Sequence, residues 1–298
     1  MDVILLYLVD TVLLPVLVTS LSALLLSRRW ADQAAVLSLG LGFIVAFAGV
    51  FTFSDLWGTD VTRLIIWGSL ITGLSLSLSP FKRRIPTALA ALYFGLYLCL
   101  SPLSSLWREE LVHSLLNEWV IGAWLNGSLI VIMIMKNSAE LDDQERTEGH
   151  MSPAYFASLA LSYAIAAPCV GLAGSASFAQ LLGALGVATA SIGVIGLLGR
   201  LKLTIMTYLS SYTALFLTLV SAHFYLTPAF PSSVASLILL APLTALLTKH
   251  WRATSLKRVV MSLVVALPLL VLGLGLMITH ELDKARVEHE ADEFGVSY

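Results

Sequence analysis

The chain has 298 residues, of which 58% are hydrophobic and only 12% are charged, and its formal net charge is −2. Soluble domains carry about 25% charged residues, so this composition excludes an ordinary soluble domain and predicts an integral membrane protein. The basic residues form no soluble module and are not interleaved with aromatic residues, so nucleic-acid binding is not predicted.

Apolar runs long enough to cross about 30 Å of hydrocarbon as helices recur along the whole chain. We predict an all-α, polytopic transmembrane helical bundle of about ten spans. The first run has no basic residue before it and exceeds the apolar part of a signal peptide, so we expect it to be retained. The predicted spans are 3–26, 33–53, 62–79, 85–102, 119–135, 153–173, 178–199, 203–226, 232–248 and 259–279.

The basic residues are sorted between alternate loops. The loops after the odd-numbered spans hold 13 of the 17 Lys and Arg residues, and such loops are retained in the cytoplasm. We therefore predict a multi-pass protein of the cytoplasmic (inner) membrane with both termini extracytoplasmic. The basic residues predicted to be inside include Arg28, Arg29, Arg200, Lys202, Lys257 and Arg258.

Residues 1–279 are predicted to form a single transmembrane domain in contact with the lipid bilayer. The longest cytoplasmic link, 136–153, divides the spans five and five, as in inverted-repeat transporters, but no matching segments accompany it. Outside, Trp107, Leu111, Leu115 and Trp119 recur at spacings of four, which predicts an interfacial amphipathic helix. Residues 280–298 form an acidic extracytoplasmic tail, which we expect to extend the last span as a helix.

Two polar residues lie inside predicted spans. Asp10 precedes Pro15 by about one turn near the outer end of span one, and ionisable groups in lipid are costly enough to be functional candidates. Asn126, beside Gly127 in span five, is expected to find a partner on another helix. Each is a candidate substrate-binding residue, and for each a purely structural hydrogen bond is the alternative.

Span eight carries hydroxyl groups along one side at helical spacing. Such a stripe can line a solute pathway, or its hydroxyls can bond back to carbonyls of their own helix. Tyr208, Ser210 and Tyr212 lie close to it. The candidate substrate-binding residues of this stripe are Thr204, Thr207, Ser211 and Thr218.

Small residues and prolines mark other spans. Gly183, Gly186 and Gly193 share one face of span seven and predict close packing against another helix, of this chain or of a partner protein. Prolines within spans can kink or interrupt the helix, as in discontinuous transporter helices. They are Pro15, Pro168, Pro242 and Pro268.

No catalytic site, metal site or cofactor is predicted. The His280–Glu281 and His289–Glu290 dipeptides are more typical of a solvated tail than of a metal site. An enzyme would have to assemble scattered outer residues such as His113, Glu118 and His223. Cys99 and Cys169 lie in apolar runs and are expected to behave as small buried hydrophobes.

Two functions fit this pattern. The first is a permease for an uncharged, amphipathic or lipidic small solute, in which Asp10→Asn and Asn126→Leu would impair flux. The alternative is a non-catalytic structural or assembly subunit of a larger membrane complex, docked through the outer tail or the glycine face of span seven. The scarcity of carboxylates within the spans argues against a multi-residue proton relay.

Overall fold

The fold comes from a computed structural model that describes residues 9–30, 33–51, 61–78, 84–106, 110–139, 151–226, 229–250 and 255–293. Within these ranges the chain is all-helical and contains no strand. One α-helix lies over each of the ten predicted hydrophobic segments. The helices are α1 (Leu14–Leu26), α2 (Ala34–Val50), α3 (Val61–Leu78), α4 (Arg84–Leu106), α5 (Glu110–Ala139), α6 (Pro153–Leu172), α7 (Ala176–Leu197), α8 (Ile205–Tyr225), α9 (Ser232–Leu240) and α10 (Ser255–Glu293).

Five helical segments among the described residues are long and apolar enough to cross a membrane. This finding confirms the coarse prediction of a helical membrane protein. The remaining apolar helices have shorter apolar stretches. The five segments are Val9–Leu26, Pro153–Leu172, Ala176–Leu197, Ile205–Tyr225 and Leu256–Val287.

Helix α8 occupies the centre of the bundle. It packs against α2, α3, α4, α5, α6, α7 and α9. The other helices follow one another around it, because α2 contacts α3, α4 contacts both α3 and α5, α10 contacts α6, and α7 closes the ring against α1 and α2. The two predicted halves are therefore in extensive contact, with α8 of the second half packed against four helices of the first.

Turn chemistry ends α6 and α7 and starts the helices that follow. Gly174 (φ 97°) and Gly199 (φ 69°) adopt left-handed conformations just past the two helix ends, where glycine avoids the Cβ clash. The N–H of the next residue then bonds back into the helix, at 3.2 Å in both cases. Ser175 and Thr204 cap the N-termini of α7 and α8 through their side-chain oxygens.

Two of the four prolines within predicted spans accompany irregular backbone. Pro15 has no N–H and crowds the carbonyl of Thr11, and the chain widens into a single π-helical turn over Val9–Leu13. Pro242 lies where α9 gives way to a 3₁₀ helix, Ala241–His250. Pro168 and Pro268 are accommodated inside continuous α-helices.

One predicted boundary changes, and one is confirmed. Helix α5 has 30 residues and begins at Glu110, so residues 110–119 continue directly into the predicted span, where the sequence predicted a separate interfacial helix. Residues 107–109 lie outside the described ranges. Helix α10 has 39 residues and reaches Glu293, which confirms that the acidic tail extends the last span as a helix.

Candidate functional site

A cavity of about 480 Å³ opens at one end of the bundle. It lies among the C-terminal ends of α1 and α7 and the N-terminal ends of α6 and α8. These segments belong to three loops that the sequence predicts to be cytoplasmic. Its lining includes the apolar residues Met151, Pro153 and Leu203 and the cationic residues Arg28, Arg200 and Lys202.

Local backbone structure holds the edge of this cavity. Gly199 turns the chain out of α7, and the Met151 N–H then donates to the Leu203 carbonyl at 2.8 Å. A Cβ on Gly196 would clash with the Leu203 side chain, so the glycine lets this segment fold back onto the last turn of α7. The start of α6, the link after Gly199 and the last turn of α7 are thus connected by a hydrogen bond and by close packing.

The side chains of the link between α7 and α8 are alternately exposed and buried. Arg200 and Lys202 are exposed, whereas Leu201 and Leu203 are buried. This alternation of burial places both cations on the solvent side of the link. Arg28 joins them from the end of α1 and is also exposed.

A cluster of aromatic side chains is buried between α6 and α8, near the helix ends that border the cavity. Tyr208 makes edge contacts with Tyr155 and Phe156, with ring centroids 6.0 and 5.9 Å apart, and stacks on Tyr212 at 6.2 Å. Tyr155 follows the lining residue Pro153 by two residues and Tyr208 follows the lining residue Leu203 by five, and neither tyrosine lines the cavity itself. We call Tyr155, Phe156, Tyr208 and Tyr212 the aromatic cluster.

The hydroxyl of Tyr208 is the polar group of this cluster that stays unsatisfied. Tyr208 is fully buried, and its hydroxyl has no hydrogen-bond partner among the described residues. A buried hydroxyl without a partner costs about 1–3 kcal/mol. The Tyr212 hydroxyl, by contrast, donates to the Leu239 carbonyl at 3.0 Å.

The Tyr212 bond replaces a backbone hydrogen bond that is missing at Pro242. In a 3₁₀ helix each N–H bonds the carbonyl three residues earlier, and Pro242 has no N–H to give to Leu239. The Tyr212 hydroxyl takes its place. Ser158 of α6 also approaches the Pro242 carbonyl, at 3.5 Å, so side chains of two helices satisfy the irregular segment.

The predicted hydroxyl stripe of α8 is internal. Thr204 is half-buried at the N-cap, and its Oγ1 lies 3.0 Å from that of Thr207, while Thr207, Ser211 and Thr218 are fully buried. Thr218 donates to the Ala214 carbonyl of its own helix at 2.7 Å. The stripe thus starts beside the cavity, next to Leu203, and runs into the centre of the bundle.

Ser211 lies at the junction of three helices. Its hydroxyl is 2.6 Å from Thr189 Oγ1 of α7, and its carbonyl accepts a 2.6 Å bond from the Tyr163 hydroxyl of α6. One residue earlier, Ser210 donates to the Ser69 carbonyl of α3 at 3.0 Å. Side chains of α8 therefore connect it to α7 and α3, and the Ser211 carbonyl connects it to α6.

Asp10 lies far along the chain and the bundle from this stripe. Its side chain is half-buried on the π-helical turn. A Cβ on Gly49 of α2 would clash with the Asp10 carbonyl oxygen, so the glycine lets the two backbones touch. Asp10 is thus held by its backbone at the end of the bundle opposite the cavity.

Asn126 differs from the expectation of an inter-helix bond. It is exposed, and its amide donates to the Gly122 carbonyl of its own helix at 3.0 Å. Its neighbours on that face are the exposed residues Ile121, Leu125, Leu129 and Met133, a band that a bilayer would cover. Gly127, one residue on, faces inward and touches Leu92 and Phe216.

The glycine face of α7 packs within the chain. A Cβ on Gly186 would lie 2.7 Å from Tyr163 Cβ, and one on Gly193 would lie 3.0 Å from Phe156 Cβ. Helix α6 therefore covers both glycines. Gly183 is half-buried, and a Cβ there would meet nothing within 4 Å, so it alone of the three leaves room for a partner helix.

The polar groups considered for an enzyme do not come together in the part of the chain that is described. No group of three or more His, Cys, Asp or Glu residues there could hold a metal ion. His280 lies 3.6 Å from Glu281 on α10, and the His223 ring is engaged with the Phe230 carbonyl at 2.8 Å. Residues 294–298 and the side chains of His113, Glu118, His289 and Glu290 lie outside the description.

The cavity is what sequence reasoning missed. Arg28, Arg200 and Lys202 carried a signal as inner-loop cations, and Gly199 marked the end of a helix, but nothing in the sequence brings residues 28, 151 and 200 together. Comparison with known proteins identifies no related site. No protein-family model matches the chain, and no curated protein matches it.

Proposed function

We propose that the chain is a multi-pass protein of the cytoplasmic membrane with ten spans and both termini outside. The loops after spans one, five and seven, all predicted to be cytoplasmic, meet at the cavity. Two contacts join helix ends that the same topology assigns to the outer side. One is between the backbones of Asp10 and Gly49, and the other runs from the Tyr225 hydroxyl to the Cys99 carbonyl at 3.2 Å. This agreement supports the alternation of spans.

We further propose that the protein is a permease for an amphipathic or lipidic small solute. The observation that carries this proposal is the cavity, whose size falls within the roughly 300–1,000 Å³ typical of small-molecule sites. Its lining combines apolar and cationic residues, which matches a molecule with a hydrocarbon part and a polar head. A fully uncharged solute fits this lining less well.

We propose that the solute moves inward from the cavity past the aromatic cluster and then the polar stripe of α8, both of which are buried in this structure. The unsatisfied hydroxyl of Tyr208 would gain a hydrogen bond from a solute at that depth. The π-helical turn before Pro15 and the 3₁₀ segment at Pro242 are places where helices can bend around α8. In this scheme Asp10, at the outer end, serves release or coupling, and Asp10→Asn slows flux without lowering binding at the cavity.

Transbilayer movement in vesicles tests the proposal. Purified protein would be reconstituted with a trace of tail-labelled fluorescent phosphatidylglycerol or of a tail-labelled glycolipid with an uncharged sugar head. Quenching by an impermeant reductant then measures movement between leaflets. We expect a protein-dependent rate, and a rate equal to that of empty vesicles for both probes would refute the permease.

A matched pair of variants links that rate to the cavity. Ser27→Trp places a large side chain in the cavity lining, whereas Leu25→Trp places the same side chain on the exposed face of α1. Both positions tolerate bulk because neither is fully buried. We expect Ser27→Trp to slow movement several-fold and Leu25→Trp to leave it unchanged, with both variants eluting as the wild type in gel filtration.

The alternative, a subunit of a larger complex, is favoured by one observation. The end of α10 is exposed from Leu282 to Val287 and carries charged residues of both signs. Such a helix could contact a partner protein outside the membrane. Purification in mild detergent that yields one stoichiometric partner, lost on truncation after Glu281, would favour this function.

A further inference from the structure

We infer that the cavity binds the phosphate group of an anionic amphiphile through Arg28, Arg200 and Lys202. The inference deepens the proposed function by naming a solute class, and for the amphiphile it rests on that function. It starts from the charge around the cavity. No Asp or Glu is among the described lining residues, and no ion pair or hydrogen bond of these three side chains occurs within the described part of the chain.

The positive charge at the cavity comes from these side chains. Two helix N-termini, of α6 and α8, and two helix C-termini, of α1 and α7, meet there, so their partial charges of opposite sign largely cancel. The Ser152 side chain and carbonyl also take the first free N–H groups of α6, from Ala154 at 3.4 Å and Tyr155 at 3.1 Å. Backbone groups therefore contribute little, and the ligand's charge must be met by the cations.

Two guanidinium groups and one ammonium group suit phosphate. Arginine presents paired N–H donors that match two phosphate oxygens, and lysine acts as a mobile point charge. The alternation along 200–203 keeps Arg200 and Lys202 on one side of the link, while Arg28 comes from another helix end. An anion between them would be contacted from two separate chain segments.

The apolar lining selects an amphiphile over free phosphate. Pro153, which is half-buried, contributes hydrocarbon surface beside the cations, whereas Met151 and Leu203 are already buried by the folded chain. A soluble phosphate would leave that surface in contact with water, whereas an acyl or prenyl chain would cover it and gain hydrophobic free energy. Free phosphate and a phosphate-bearing amphiphile would make the same contacts with the cations, but only the amphiphile would cover the apolar surface.

General attraction of basic loops to anionic headgroups is the competing explanation. It predicts that every exposed inner cation matters equally, whereas a discrete site predicts that only the cations at the cavity matter. The chain offers a matched comparison. Arg200→Gln/Lys202→Gln removes one Arg and one Lys at the cavity, and Arg29→Gln/Lys257→Gln removes the same pair at exposed positions outside its lining.

Binding would be measured on the full chain in neutral detergent by native mass spectrometry and by thermal stabilisation. The probes are dioleoyl phosphatidylglycerol, dioleoyl phosphatidylcholine, a diacylglycerol and inorganic phosphate. We expect one saturable site that prefers phosphatidylglycerol. Loss of Arg200 and Lys202 should weaken it about 30-fold, since each cation near an anionic headgroup contributes roughly fivefold, and loss of Arg29 and Lys257 should change it less than about twofold.

Equal weakening by the two double variants would overturn the site in favour of general headgroup attraction. Inorganic phosphate binding as tightly as phosphatidylglycerol would keep the phosphate site but overturn the lipid as its source. Binding lost only in the cavity variant, with no transbilayer movement by the wild type, would keep the site and refute the permease. Transbilayer movement of the sugar-headed probe, with no binding preference for phosphatidylglycerol, would support the permease and refute the phosphate site.

Discussion

In soluble proteins the more apolar helix is the more buried one, and the central helix α8 and the peripheral helix α10 show the opposite relation. Helix α8 has the lowest mean hydropathy of the five membrane-length segments, 1.4, yet 89% of its most apolar stretch is buried. Helix α10 has the highest, 2.7, and only 22% of the corresponding stretch is buried. The least apolar helix is thus the one surrounded by protein.

The physical reason is the solvent. Lipid tails are as apolar as leucine, so α10 gains nothing by leaving them, whereas hydroxyl groups facing lipid would lack partners. In α8 several of these groups bond to other helices, as between Ser211 and Thr189 and between Ser210 and the Ser69 carbonyl. The comparison teaches that hydrogen bonding and close packing, and not hydropathy, place a helix inside this bundle.

The largest expected effect comes from spoiling the close packing that supports α8. Gly186→Ala would place a Cβ 2.7 Å from Tyr163 Cβ, pushing away the residue whose hydroxyl bonds to Ser211. We expect a loss of about 1–3 kcal/mol in the free energy of unfolding, the usual range for overpacking. The measurement is denaturant titration in detergent micelles.

Gly183→Ala is the matched control on the same helix. A Cβ at Gly183 would meet nothing within 4 Å, and alanine favours a helix interior over glycine by about 0.5–1 kcal/mol. We therefore expect an unchanged or slightly higher free energy of unfolding. If both variants lose stability equally, the glycine face of α7 is not what holds α6 close.

A smaller effect is expected from two neighbouring tyrosines of α8. Tyr212→Phe removes the bond to the Leu239 carbonyl and leaves that carbonyl without its substitute partner at Pro242, so we expect a loss of about 1 kcal/mol. Tyr208→Phe removes an unsatisfied hydroxyl and should leave the free energy of unfolding unchanged or raise it. The same titration compares them, and equal losses would mean that Tyr208 has a partner, such as a bound molecule.

The smallest effect is expected on the periphery. Asn126→Leu replaces an exposed amide bonded only to its own helix with a residue like its exposed neighbours. In micelles or bilayers we expect the free energy of unfolding to change by less than about 0.5 kcal/mol. A loss as large as that of Tyr212→Phe would show that the amide binds another helix or a second protein, and that the centre and the periphery of the bundle differ less than this comparison predicts.

Much of the helix inventory could be predicted from the sequence. Apolar length located all ten segments, and the Gly174 and Gly199 stops with the Ser175 and Thr204 caps are local chemistry. A helix over 110–119 was also predicted, but its unbroken continuation into the span was not. The stripe of α8 was located correctly, but its partners on α3, α6 and α7 depend on contacts distant in sequence.

By itself, the sequence determined that the chain is a helical membrane protein, where its helices lie and how its basic residues are sorted, because apolar length and charge are properties of short segments. Only the tertiary structure decided that α8 is central, that Asn126 faces outward while Ser211 faces inward, and that Arg28, Arg200 and Lys202 surround one cavity. Periodicity shows that a helix has a polar side, but the partners that satisfy that side come from other helices.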